Sequence, residues 1–148
     1  MMLNQDYRDM LSLLLEKKVD FLIIGAYALA VHGLPRATAD IDIFVKPSSD
    51  NAIQIIEVLT EFGVALENIS KTDFEKPGII MQIGVKPRRI DILTEIDGLT
   101  YDEAAIGKNI VDIEGLAIPV ISKSNLIKNK RATGRDKDRL DVESLEKS

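Results

Sequence analysis

The segment Asp40-Ile-Asp42-Ile-Phe-Val45 constrains this chain more than any other. Apart from the two aspartates it is β-branched and aromatic, so it reads as a buried strand, and strand side chains alternate between two faces. Asp40 and Asp42 therefore share one face while Ile41 and Ile43 take the other. Same-face neighbours on a strand lie about 6.7 Å apart by Cα spacing, and like charges that close resist ionising together unless a cation stands between them. Upstream, Phe21-Leu-Ile-Ile24 is a fully apolar run of the kind found in a central strand. Gly25 follows and opens a short alanine-rich helix, 26–32, closed by Gly33. A glycine at a strand-to-helix junction lets backbone N–H groups approach an anion, and the helix start adds partial positive charge. Carboxylates for a metal beside a turn for phosphate imply nucleotide chemistry.

A second segment, Arg89-Ile-Asp91-Ile-Leu93, repeats the pattern in miniature. If it pairs beside the first strand, Asp91 faces the same metals, which in two-metal sites lie roughly 3.5–4 Å apart. One aspartate in one strand is more simply a solvated face; three of them beside a glycine turn argue for a site. The chain has no cysteine and a single histidine, His32, so a bound metal must be held by oxygen, which favours magnesium, manganese or calcium. His32, just before Gly33, reads as a helix-capping or structural residue. Arg36 and Thr38 lie on the loop that enters the aspartate strand. There Arg36 either neutralises the carboxylates or reaches phosphates, for which its planar fork is suited. From Lys123 to Arg139 seven basic residues, among them Lys130 and Lys137, face only Asp136 and Asp138. That patch is either a solvated helix face or an electropositive wall for triphosphate or RNA.

The 148 residues suffice for one domain with a real core, spanning 1–148 with its core at about 18–121 and a helical C-terminal segment at about 122–148. Helical periodicity predicts a helix over 4–17 capped by Asn4 and burying Tyr7, Met10, Leu11, Leu14 and Leu15. A second amphipathic helix starts at Ser48 or Ser49, presents Ile53, Ile56, Leu59 and Phe62, and ends at Gly63. Residues 70–77 read as a loop or single turn. Strands are expected at 39–45, at 79–85 and 89–94 as a hairpin through Lys86-Pro-Arg88, and at 109–113 and 116–120 through Glu114-Gly115. Helical segments are expected at 101–106, 124–132 and 136–146. The apolar stretch 21–34 is too short to span a bilayer and the polar N-terminus carries no basic leader, so a cytoplasmic protein with no membrane partner is expected. The net charge of −5 argues against a general nucleic-acid coat.

Taken together, the apolar strand, the turn at Gly25-Ala26, the Asp40-x-Asp42 strand and the later Asp91 resemble the nucleotidyltransferase superfamily that includes DNA polymerase β, the minimal nucleotidyltransferases and antibiotic nucleotidyltransferases. The longer string Gly25-Ala26-x-Ala28, His32-Gly33, Arg36-x-Thr38-x-Asp40-x-Asp42 is closer to the branch containing AbiEii-type toxins of toxin–antitoxin pairs. So is the tail Lys130-x-Ala132, Gly134-Arg135-x-Lys137-Asp138-x-x-Asp141. The resemblance implies an α/β (α+β) fold, a small mixed β-sheet with helices packed against it. It implies transfer of a nucleoside monophosphate from a triphosphate, ATP or another, to an acceptor hydroxyl on a tRNA end, a protein or a small molecule, with release of pyrophosphate. Asp40, Asp42 and Asp91 would be the catalytic residues and would hold two Mg²⁺ or Mn²⁺. Gly25, Ala26, Arg36, Thr38, Lys130 and Lys137 would contact the nucleotide. A cognate antitoxin or a second copy of the chain would be the protein partner. Ala26 departs from the Gly or Ser of many active members and offers no hydroxyl, which leaves as the alternative a catalytically silent binding or regulatory module.

Overall fold

The structure is a computed structural model and describes residues 2–36 and 40–148. Six strands form one mixed sheet in the order β3-β4-β2-β1-β6-β5. In chain order the elements are α1 (Gln5–Glu16), β1 (Phe21–Ile24), α2 (Gly25–Val31), β2 (Ile41–Val45), α3 (Ser49–Phe62) and a 3-10 turn at Lys71–Glu75. They continue with β3 (Ile80–Ile83), β4 (Ile90–Leu93), α4 (Tyr101–Ala105), β5 (Asn109–Ile113), β6 (Leu116–Val120), α5 (Lys123–Thr133) and α6 (Asp136–Lys147). This is the mixed α/β architecture expected from the residues.

The local signals explain most boundaries. Asn4 caps α1 by accepting the Tyr7 N–H at 2.9 Å, and Ser48 caps α3 by accepting the Asn51 N–H at 3.2 Å. Gly63 ends α3 with φ +99°, a left-handed conformation that glycine adopts without a Cβ penalty. The buried apolar face of α1 is Tyr7, Met10, Leu11 and Leu14, and all four residues of β1 are buried at the centre of the sheet. His32 is the C-cap of α2, and its Nε2 bonds the Ile121 carbonyl at 2.8 Å, a structural tie from α2 to the end of β6.

The face of α3 differs from expectation. Ala52, Ile55, Val58 and Leu59 are buried, whereas Ile53 is 43% exposed and Ile56 and Phe62 are only partly covered. The helix carries two overlapping apolar stripes, and a polar residue selects between them. Asn51 is buried; its Oδ1 accepts the Asp20 N–H at 2.8 Å, and its Nδ2 donates to the carbonyls of Asp20 (3.1 Å) and Lys46 (3.0 Å). A buried amide must find partners, and satisfying Asn51 turns Ile53 outward.

Pairing within the sheet sets up everything that follows. β1 runs antiparallel to β2, with Ile24 opposite Asp42. β2 runs parallel to β4 in the register Ile41↔Ile90, Asp42↔Asp91, Ile43↔Ile92. β3 is an antiparallel edge strand on β4, and its Ile80 is 62% exposed.

Candidate active site

Ile41 and Ile43 are 1% and 0% exposed, so the core side of β2 is settled and Asp42 is forced to the other face. The same holds for Asp91 between Ile90 and Ile92, which are buried. The parallel register puts Asp42 directly opposite Asp91, with backbones about 4.8 Å apart. Asp40 lies immediately before β2, two residues back on the Asp42 side. Ala39, expected as the first residue of this strand, and Thr38 lie outside the described residues.

Gly25 closes the site from the side. Its φ is +67°, and a Cβ placed there would overlap Asp42 Oδ2 and come within 3.0 Å of its Cγ. The glycine is thus required twice, once by the backbone conformation and once by the approach of the carboxylate. Ala26 follows on the first turn of α2.

Electrostatics disfavour ionisation of all three carboxylates together. Burial, reinforced by the neighbouring Asp91 and Asp40 carboxylates, pushes Asp42 from 3.8 up to about 7, against smaller opposing effects of Arg89 and Lys130. Arg89 supplies the positive charge nearest the group. Its Nε and Nη2 donate to Asp91 Oδ1 and Oδ2 at 2.6 and 3.0 Å, a bidentate fork. Nη2 also lies 3.5 Å from Asp40 Oδ2, and the Arg89 backbone N–H donates to Asp40 Oδ1 at 3.0 Å. Those bonds, that to Asp91 first, raise the guanidinium above its ordinary value. The Arg89 carbonyl accepts the Tyr7 hydroxyl at 3.1 Å and the Ile41 N–H at 3.1 Å, which fixes the backbone at this point.

A second network lines the opposite wall, at the junction of α5 and α6. Lys130, 8% exposed, reaches Asp138 Oδ1 at 3.2 Å and Asp141 Oδ2 at 3.1 Å. Thr133 Oγ1 and Arg135 Nε donate to Asp138 Oδ2 at 2.6 and 2.7 Å, and Arg36 pairs with Asp141 Oδ1. The Lys130–Asp141 approach is a charge contact without hydrogen-bond alignment, since Asp141 Oδ2 has no hydrogen bond among the described residues. Desolvation of Asp138 is outweighed by its donors, so its carboxyl lies below the ordinary value.

Both walls face one cleft of about 970 Å³, at the upper end of what small-molecule sites enclose. Gly25, Ala26, Arg36, Asp40, Asp42, Asp91, Lys130 and Lys137 all line it. Arg36 lies on Asp141 rather than on the Asp40–Asp42 pair. Reading the residues one by one did not single out Arg89, and the available signal was its place two residues before Asp91 on the same strand face. Asp138 and Asp141 were visible only as members of a motif, because their burial depends on the packing of α6 against α5.

A family profile described as "Nucleotidyl transferase of unknown function (DUF2204)" matches residues 3–147. The chain belongs to this family. Nucleotidyl transfer is therefore the activity class of the chain, and a nucleoside triphosphate its substrate class. No curated protein matches the sequence. Among solved structures the fold is similar to that of a Thermotoga maritima protein described as a nucleotidyltransferase, with TM-score 0.61 and 22% identity over 99% of this chain and 94% of that one. It is also similar to the lincosamide antibiotic adenylyltransferase LnuA in its lincomycin-bound form, with TM-score 0.59 and 16% identity over 98% and 97% of the two chains. At these identities the likeness is one of fold, and a DUF2204 chain shares its architecture with an antibiotic-modifying enzyme. Among the described residues no helix is long and apolar enough to cross a membrane.

Proposed function

We propose that this DUF2204 chain transfers a nucleoside monophosphate from a nucleoside triphosphate to an acceptor hydroxyl and releases pyrophosphate, with Asp40, Asp42 and Asp91 as its catalytic and metal-binding residues. The observation that carries the reading is the register Asp42↔Asp91, with Asp40 two residues back and the Gly25 backbone pressed against Asp42.

Such a reaction calls for divalent ions, Mg²⁺ or Mn²⁺, and the carboxylates suit them in donor chemistry: all would-be ligand atoms are oxygen, and Asp42 is half-buried beside two further acids. Among the described residues no group of three acidic or histidine side chains is arranged to hold an ion, and Arg89 lies at ion-pair distance from both Asp40 and Asp91. Bound there, two ions would neutralise charge on the attacking and leaving oxygens of an in-line displacement. The protein supplies the rest. Asp91 orients the acceptor hydroxyl and helps to activate it. The backbone at Gly25 and Ala26 receives phosphate oxygens, Arg36, Lys130 and Lys137 form the basic side of the cleft, and Thr38 is a further nucleotide contact to test. ATP is the first triphosphate to test. The likeness of the Gly25–Asp42 string and of the Lys130–Asp141 tail to AbiEii-type toxins supports a cytoplasmic toxin-like role with a tRNA or protein acceptor and a cognate antitoxin.

Label transfer from each α-labelled nucleoside triphosphate, in cell extract with Mg²⁺ or Mn²⁺, tests the reaction and traps the acceptor. Asp42→Asn is expected to abolish both metal-dependent nucleotide binding and transfer. Undiminished transfer by that variant would sink the assignment.

A further inference from the structure

We propose that Arg89 is an exchangeable counter-ion of the acidic site, whose guanidinium holds Asp40 and Asp91 together until a divalent ion displaces it. The proposal rests on the reading of Asp40, Asp42 and Asp91 as a metal site. The fork of Arg89 engages both oxygens of Asp91 at 2.6 and 3.0 Å and lies 3.5 Å from Asp40 Oδ2. Those carboxylates are the ones a metal would require, and a guanidinium and a divalent cation repel at ligating distance. Occupancy by the arginine and by the ion are therefore alternatives. Asp42 has no ion pair among the described residues, so the arginine serves two carboxylates of the three and leaves the third without a direct partner.

The side chain can leave without dismantling the site. Asp40 is held separately by the Arg89 backbone N–H, and the Arg89 carbonyl is held by Tyr7 and Ile41. The Arg89 side chain is 20% exposed and faces the cleft, so it has somewhere to go. A purely structural ion pair would stabilise the carboxylates in every state. An exchangeable one makes the arginine a competitor, so removing it should strengthen metal binding. The arginine thereby sets the affinity for free ions and keeps the site closed at low metal concentration.

The test is Mn²⁺ titration followed by the EPR signal of free Mn²⁺, on the full chain without nucleotide. Arg89→Ala is expected to bind Mn²⁺ about tenfold more tightly than the unaltered protein, as loss of a charge-assisted competitor predicts. Arg89→Gln, which keeps the stem but not the charge, should do the same and carries the test if the alanine variant folds poorly. Arg89→Lys should fall between. Adding Asp42→Asn to Arg89→Ala should remove the binding. Equal or weaker Mn²⁺ affinity in both neutral variants, with the unaltered protein still binding, overturns the exchange and leaves the metal site standing. Absence of Mn²⁺ binding in all of these proteins overturns the metal reading itself, and the exchange with it.

Discussion

Asp42 and Asp91 stand directly opposite each other on adjacent parallel strands, 49 positions apart in sequence and both excluded from the core by flanking isoleucines. Antiparallel neighbours arrive through a hairpin turn, but a parallel pair has to be brought together by a crossover. Here β2 leads through α3 and β3 before β4 returns beside it. The acidic site exists only when that long-range pairing has formed, so folding and site assembly are one event.

The half-buried Asp42 should leave a signature in the pH dependence of stability. Its folded value of about 7 lies above the unfolded 3.8, so the native state binds the extra proton over that window. Stability of the metal-free protein then falls as pH rises from about 4 to about 7, and stays level above it. Asp42→Asn should raise the stability by an amount on the order of a few kcal/mol at about pH 8 and change little near pH 4. Thermal unfolding in a metal chelator at both pH values checks this. A variant that is equally or less stable at the higher pH contradicts the electrostatic account.

Gly25 is predicted to be much harder to replace than Gly33. Gly25→Ala meets a positive φ, which costs about 1–3 kcal/mol for a non-glycine residue, and also displaces Asp42. Gly33 has a φ of +96°, but an added Cβ there would meet no atom within 4 Å, so Gly33→Ala bears the backbone cost alone. Chemical denaturation should show the larger loss for Gly25→Ala, and metal binding should fail in that variant while surviving in Gly33→Ala.

Lys130 should prove to be a stability determinant of the C-terminal helices whatever else it contacts. Lys130→Ala leaves Asp138 and Asp141, 3% and 5% exposed, facing each other without their shared cation. Breaking a buried pair costs about 3–5 kcal/mol when the charge is left uncompensated. Because Arg135 and Arg36 stay on the two carboxylates, the loss should fall at or below the lower end of that range. Arg131→Ala, which removes an exposed pair with Glu146 on the same helix pair, should cost about 1 kcal/mol or less. Urea unfolding of the two variants side by side gives the comparison.

Much of this was legible residue by residue. Alternation with period two placed Asp40 with Asp42 and Asp91 apart from its isoleucines, and the caps Asn4, Ser48 and Gly63 marked helix ends, because these signals act over a few residues. The buried face of α3 was not legible, since Ile53 and Ile55 offer competing stripes and the choice depends on Asn51 reaching Asp20 and Lys46. The role of Arg89 was hidden for a related reason. An arginine before an aspartate on a strand is an ordinary surface pair until Asp40 is brought in from a different strand.

The sequence by itself determined the chemistry available: oxygen donors only, a glycine where a carboxylate approaches, and aspartates held to one side of apolar strands. Only the tertiary structure decided which charges meet. It put Asp42 across from Asp91, Arg89 between Asp91 and Asp40, and Lys130 between Asp138 and Asp141. The physical reason is range. Side-chain direction along a strand follows from local sterics, whereas the partner of a buried charge is set by strand register and helix docking, which no short window of sequence contains.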